Sequence, residues 1–255
     1  MSLRFAYNTN GTANHRLDDA IDLIAEAGYQ GVALTLDIHH LDPFAENWLQ
    51  EAQRVSSRLQ RLGLGSVIET GARFLLDPKA KHEPTLVSGD AAGRARRIGF
   101  LKRAVDIAAI LHSEAVSFWA GVPKPGIDPD EARGWLREGL TEVVAYAAEQ
   151  KVVACLEPEP GMLIETLDDY AALDLPGLKL ALDTGHCLVT GERDPAAAVA
   201  EFSDRIGTVA IEDMARGVHI HLPFGEGDMD VPGVLGALDA IGFDRLVCVE
   251  LSRES

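Results

Sequence analysis

Four short stretches of the sequence end in acids or an imidazole where an apolar run gives way to Gly, Pro or Thr. They are Val67-Ile68-Glu69-Thr70-Gly71, Cys155-Leu156-Glu157-Pro158-Glu159-Pro160-Gly161, Leu182-Asp183-Thr184-Gly185-His186 and Val249-Glu250-Leu251. A fifth run, ending at Ile211, is followed by Glu212-Asp213 and a loop that carries His219 and His221. Period-two alternation places Cys155 with Glu157, and Cys248 with Glu250, on one face of an extended segment. If the thiols point inward, both glutamates project over a common mouth. Acids converging without matching bases repel one another strongly at such separations, and a divalent cation offsets that. Sets of carboxylates with imidazoles suit Mn, Zn, Co or Fe. Each acid taken alone reads as a solvated rim residue. The set reads as a metal centre. Trp119, at the end of another apolar run, is either barrel packing or an apolar wall for a ring-shaped ligand.

These residues need elements that bring them together. Strands are predicted over 3–7, 31–36, 65–69, 115–119, 152–157, 178–183, 208–211 and 246–250, with amphipathic helical stretches between them. Leu17, Ile21, Ile24 and Ala27 share one helical face, closed by Gly28. Trp48, Ala52, Val55, Leu59 and Leu62 share another, closed by Gly63. Asp128-Pro129 and Asp194-Pro195 supply caps with proline at the first helical position. Eight strands alternating with helices over 255 residues, without a Ser/Gly linker, predict one α/β domain spanning 1–255. The fold expected is a single (β/α)8 TIM barrel. A doubly wound sheet is the competitor, but Tyr7-Asn8-Thr9-Asn10-Gly11 is no dinucleotide-binding fingerprint and no Walker-type loop occurs. In a barrel, the chemistry belongs at the carboxyl ends of the strands.

Lys and Arg number 23 against 40 Asp and Glu, a formal charge of −17. That balance opposes a nucleic-acid partner and an anionic membrane surface. No stretch has the length of a signal peptide's apolar core or a membrane span, so a cytoplasmic protein is expected. Cys155, Cys187 and Cys248 form no CxxC pair, and the first and last read as buried small hydrophobes.

The motifs, in this order at successive strand ends, resemble the xylose-isomerase-like barrel superfamily of sugar isomerases and epimerases, inosose dehydratases and AP endonucleases. The resemblance runs from about Asp22 to Glu250 and includes Pro223-Phe224-Gly225-Glu226-Gly227. It implies one divalent metal ion held by Glu157, Asp183, Glu250 and a histidine on the seventh strand. Ala210 stands in that histidine's place, in Val209-Ala210-Ile211-Glu212-Asp213. His221, with His219 beside it, is the expected replacement. His186 is expected to contact substrate, and His219, Glu69, Trp119 and Glu212 to contact substrate or support the ligands. A strand-two glutamate found in some members is also missing, with Ala33 in its place and Asp37 and His39 nearby.

The resemblance implies an isomerase or epimerase that moves a proton at the carbon beside a metal-polarised carbonyl, with Glu157 and Glu250 as the acid/base pair. The substrate expected is a small polyol: a free sugar, ketose or cyclitol, since Glu226 would oppose a phosphate in its loop. An inosose-type dehydratase and a ligand-binding barrel without catalysis are the alternatives. An AP-endonuclease-like phosphodiesterase is opposed by Ala210 and by the charge. Relatives often pair through surface helices, which leaves a homodimer open. The segment 73–93, with Lys79, Lys81 and His82, is longer than an ordinary connection and reads as a solvated loop or as a lid that meets an acidic substrate.

Overall fold

The computed structural model describes residues 2–251 and closes eight parallel strands into a barrel. They are β1 (Arg4–Asn8), β2 (Gly31–Thr35), β3 (Gly65–Glu69), β4 (Val116–Trp119), β5 (Ala154–Glu157), β6 (Lys179–Asp183), β7 (Ile206–Ile211) and β8 (Leu246–Val249). Each neighbours the next, and β8 pairs back on β1 through Ala6 and Cys248. Every predicted strand is present, its ends within two residues of expectation. Around them lie α1 (Leu17–Glu26), α2 (Trp48–Leu62), α3 (Ala91–Leu111), α4 (Pro129–Glu149), α5 (Leu167–Leu173), α6 (Thr184–Thr190), α7 (Pro195–Glu201) and α8 (Val231–Ala240). The expected (β/α)8 TIM barrel is the fold.

Local chemistry sets the helix boundaries. The side chains of Asp90, Asp128, Asp194 and Asp230 accept first-turn N–H groups of α3, α4, α7 and α8, satisfying donors that a helix leaves open. Gly63 ends α2 at φ 68°, a left-handed turn that glycine adopts without a Cβ clash.

Strand side chains divide by alternation. Val32, Leu34, Ile68, Val116, Phe118, Leu156, Leu180, Leu182, Val209, Ile211 and Val247 face the helices in the main core. A second cluster fills the barrel interior: Ala6, Ala33, Val67, Ala115, Cys155, Ala181, Leu246 and Cys248. All but Leu246 and Val67 are small. Two residues further along the strands come Asn8, Thr35, Glu69, Ser117, Glu157, Asp183 and Glu250, all on the same inward face. Small residues below thus seat a polar layer above. The three cysteines are buried free thiols, and burial pushes Cys155 up to about 12, so it stays a thiol. Among the described residues, no helix is long and apolar enough to cross a membrane.

Replacing Ala181 by Leu inserts three carbons beneath Asp183 in a packed interior. This should destabilise by about 1–3 kcal/mol and lower the thermal midpoint by roughly 2–4 °C per kcal/mol. Circular dichroism on heating checks it, and an unchanged midpoint contradicts the tight small-residue floor.

Candidate metal and sugar site

Above the interior lies a cavity of about 640 Å³ at the carboxyl ends of the strands. Of the residues singled out in sequence, Glu69, Trp119, Glu157, Asp183, His186, His219, His221 and Glu250 all line it. Glu212 does not. It is fully buried beside Asp183, packed under Gly185, where a Cβ would strike its carboxyl group. Asp37 and His39 are also outside the cavity. Asp37 turns onto the backbone N–H of Ile38, 2.7 Å away, and opens a loop.

Asp183 is the best-fixed group. It caps α6, its Oδ1 accepting from the N–H groups of Gly185 at 2.8 Å and His186 at 3.1 Å. That bond pair leaves Oδ2 facing His186 Nε2 at 3.3 Å. The His186 ring is fixed from its other side, because Nδ1–H donates to the Pro158 carbonyl at 2.9 Å. A carbonyl only accepts, so Nδ1 carries a proton and Nε2 faces the acids. Metal-binding imidazoles are commonly oriented through such a bond. Burial lowers the imidazole, but Asp183 and Glu159 outweigh it and raise it above the ordinary histidine value. Nε2 also lies 3.8 Å from Glu159 and 3.2 Å from His219 Nε2.

Two candidate ligand sets result. Ligand atoms of Glu157, Asp183 and His186 lie within 4.8 Å of one another, as do those of Glu159, His186 and His219. His186, expected as a substrate contact, is thus the imidazole that joins both. His221 sits behind His219, ring centroids 5.7 Å apart. Asp213 holds this loop over the mouth. Its backbone pairs with Leu222, and its carboxylate accepts from Gly225 at 2.8 Å and Met229 at 2.9 Å. The turn that follows leaves Glu226 exposed and outside the cavity.

Several lining residues were not identified from sequence. Asn10 Nδ2 donates to Glu250 at 2.8 Å, and Ser117 Oγ to Glu157 at 3.4 Å. Asn8 and Thr35 enter from β1 and β2, whose sequences carry no acid, and Asn10 from the turn after β1. Glu159 escaped because it lies past the strand, in Pro-Glu-Pro, where alternation no longer governs. The segment after β3 contributes Arg73 and Phe74, beside the Lys81 and His82 that the sequence reads as part of a solvated loop or a lid.

Burial and mutual repulsion dominate the electrostatics. Burial raises Glu69 well above the usual carboxyl range, with Glu250 and Asp183 adding to it. Burial, then Glu159, Glu69 and Asp183, does the same to Glu157. Glu159 and Glu250 are each pushed up to about 7, chiefly by burial, while His186 pulls both back. Asp183 is the exception. Burial would raise it, but His186 and a hydrogen bond from Glu212 hold it below the usual aspartate range. Glu212, raised well above its ordinary value by burial and then by Asp183, is therefore the protonated donor of that pair.

Residues 21–255 match the family model described as Xylose isomerase-like TIM barrel. The chain belongs to this family. L-ribulose-5-phosphate 3-epimerase UlaE of Shigella flexneri serotype 5b is 26% identical over 205 residues, covering 78% of this chain and 72% of that protein. Among solved structures, D-allulose 3-epimerase from Methylomonas sp. superimposes with a TM-score of 0.76 at 20% identity, covering 98% of this chain and 85% of that one. The IOLI protein with a binding zinc atom gives a TM-score of 0.76 at 19% identity, covering 98% and 90%. At that identity the two structures establish the shared barrel.

In chelated protein, Glu159 and Glu250 titrate near 7 when folded, against about 4.5 in the open chain. Folding then takes up protons. The associated stability is fully present below about pH 4.5 and is lost as pH rises through about 7. The urea midpoint of the chelated protein should fall between about pH 6 and pH 8, and excess divalent cation at pH 8 should restore it. A chelated protein whose midpoint is level or rising over that range contradicts the acid cluster described.

Proposed function

We propose that this barrel is a divalent-metal-dependent sugar epimerase, acting at the carbon beside the carbonyl of a ketose or related polyol. The observation that carries this is the placement of Glu157 and Glu250. They rise from β5 and β8, three strands apart, into one cavity that also holds Asp183 and His186. The curated relatives bearing the name L-ribulose-5-phosphate 3-epimerase support the reaction class.

The donor set fits a divalent cation. Glu157 and Asp183 would hold it with the Nε2 of His186, and Glu250 completes the set expected from sequence. His186 then does what His221 was expected to do in place of the histidine missing at Ala210. His219 and His221 stand next to it over the mouth. Such an ion, when bound, supplies Lewis-acid polarisation of the carbonyl and the neighbouring hydroxyl, acidifying the intervening C–H. Zinc, manganese, cobalt and iron all suit these ligands.

The remaining steps belong to the chain. One glutamate, Glu157 or Glu250, takes the α-proton from one face as the C–H pair moves toward the carbonyl oxygen. The other delivers a proton to the opposite face, inverting the centre. A general acid must hold a proton near neutrality and a general base must be able to lose one, which requires pKa values near the working pH. Glu250, near 7, meets that condition, and Asn10 aims its carboxyl group. Ser117 does the same for Glu157. Trp119 would lie against the sugar's apolar face.

Glu157→Gln and Glu250→Gln should each abolish exchange of the substrate α-proton with solvent deuterium. The expected loss is at least the roughly 10²–10⁴ factor of acid–base catalysis, with circular dichroism unchanged. NMR of ketoses incubated in deuterated buffer checks this, and retained exchange in both variants contradicts the assignment. Chelation should remove the activity, and added Mn, Co or Zn should return it.

A further inference from the structure

The segment between β3 and α3 is not absorbed by the proton-transfer chemistry, yet it forms one wall of the cavity. In the ring of strands β3 stands four places from β7, so this wall faces the His219–His221 loop across the mouth. Its contribution is basic: Arg73 and Lys81 line the cavity together with Phe74 and His82. Neither Arg73 nor Lys81 has an ion-pair or hydrogen-bonding side-chain partner among the described residues. Both side chains are solvent-exposed at the cavity mouth, so they are free to meet an anion there.

Nearby acids do not supply that anion. Glu83 is engaged by Ser88 at 3.0 Å and Lys124 at 3.7 Å, and Asp77 accepts from the backbone of Lys79 at 2.8 Å. The backbone that carries the two cations is held in place. The His82 backbone N–H donates to the Arg73 carbonyl, and its Nδ1–H donates to the Gly71 carbonyl at 2.8 Å. This staple folds the segment back on itself and sets Lys81 beside Arg73. It requires left-handed backbone at two non-glycine residues, Ala72 at φ 46° and His82 at φ 67°. Such conformations persist where surrounding structure imposes them, and they concentrate at functional sites.

A third cation lies behind the wall. Arg97 is fully buried, its guanidinium carbon 4.3 Å from the Trp119 ring centroid. Nη2 donates to the Thr70 carbonyl at 3.2 Å, while Nε and Nη1 have no partner among the described residues. Burial lowers it to about 9, so it remains charged at neutral pH. The β3–α3 segment therefore brings positive charge to the mouth, while the strand ends, Glu69 of β3 included, bring carboxylates.

We propose that the substrate carries an anionic oxyacid group, a carboxylate or a phosphate ester, remote from its reacting carbon, and that Arg73 and Lys81 bind that group. This rests on the epimerase reading for which end of the substrate reacts, and it replaces the expectation of an uncharged sugar. That expectation depended on Glu226 opposing a phosphate, and Glu226 lies outside the cavity. Guanidinium and ammonium groups recognise such anions by charge-assisted hydrogen bonds.

The test compares L-ribulose, L-ribulose 5-phosphate and D-fructuronate, a ketose with a terminal carboxylate. α-Proton exchange is measured with the metal-loaded protein and binding by calorimetry with the chelated protein. One anionic ketose should exceed L-ribulose at least tenfold in kcat/KM, carried mainly by KM, and tenfold in affinity. Which one does so assigns phosphate or carboxylate. In Arg73→Ala/Lys81→Ala that preference should fall toward unity, while Arg73→Lys, which keeps the charge, should retain most of it. Charge-selective binding without exchange upholds the anion site and overturns the epimerase reading. Exchange of L-ribulose as fast as either anion, with no charge preference in binding, overturns the anion site and leaves the epimerase reading standing. A preference that survives the double substitution also overturns the assignment to Arg73 and Lys81.

Discussion

Repulsion among carboxyl groups at the barrel mouth is the constraint around which the site is built. Glu69, Glu157, Glu159, Asp183, Glu212 and Glu250 converge on a buried volume in which Asp183 acts on every other member. Two ionised carboxylates about 4 Å apart repel by about 4 kcal/mol at an effective dielectric constant near 20. A folded domain is stable by only about 5–15 kcal/mol, so such a set cannot remain fully ionised and uncompensated. The chain answers in two ways. Protons stay on the groups that burial raises most, and Asp183 is the one member held below its ordinary value, by the α6 N-terminus, His186 and Glu212. A divalent cation would supply the remaining compensation. It would do so where Nε2 of His186 and the carboxylates already face one another.

The scaffold can be understood as what this arrangement requires. Small residues on the interior floor leave room for a polar layer one repeat above. Gly185 has no Cβ and so lets the Glu212 carboxyl group sit against Asp183. Asp213 spends its carboxylate on backbone N–H groups, which holds it below the ordinary aspartate range despite burial and pins the histidine loop. Some of the net negative charge has comparable local work, since Asp90, Asp128, Asp183, Asp194 and Asp230 each cap a helix. The β3–α3 wall brings the opposite sign to the same cavity, so one mouth presents two chemistries.

Much of this was legible in the sequence. β-Rich runs alternating with helical stripes, each closed by Gly or opened by Asp-Pro, specify an eight-stranded barrel. Strand alternation carries the inward direction of Cys155 through to Glu157 and of Cys248 through to Glu250. What lay beyond reach depends on loops and on neighbours in space. Glu159 stands after the last paired residue of β5, so no period fixes its direction. Asn10 belongs to a turn that looked only like a failed nucleotide fingerprint, and its bond to Glu250 spans 240 residues. The joining role of His186 follows from α6 starting immediately at Asp183, which turns the ring back over the mouth. Lys81 stood out in the sequence as a basic residue of a long segment, but Arg73 is eight residues away in a segment without periodicity, and only the His82 staple makes them neighbours.

The central claim is that these carboxyl groups and His186 form a cation site that protons occupy in the cation's absence. Calorimetric titration of chelated protein with Mn²⁺ or Zn²⁺ near pH 6.5, in buffers of different ionisation enthalpy, measures both binding and proton release. Saturable binding of a single ion with proton release, both lost in Asp183→Asn, is the result predicted. No saturable binding, or binding without proton release that Asp183→Asn leaves intact, would contradict the account.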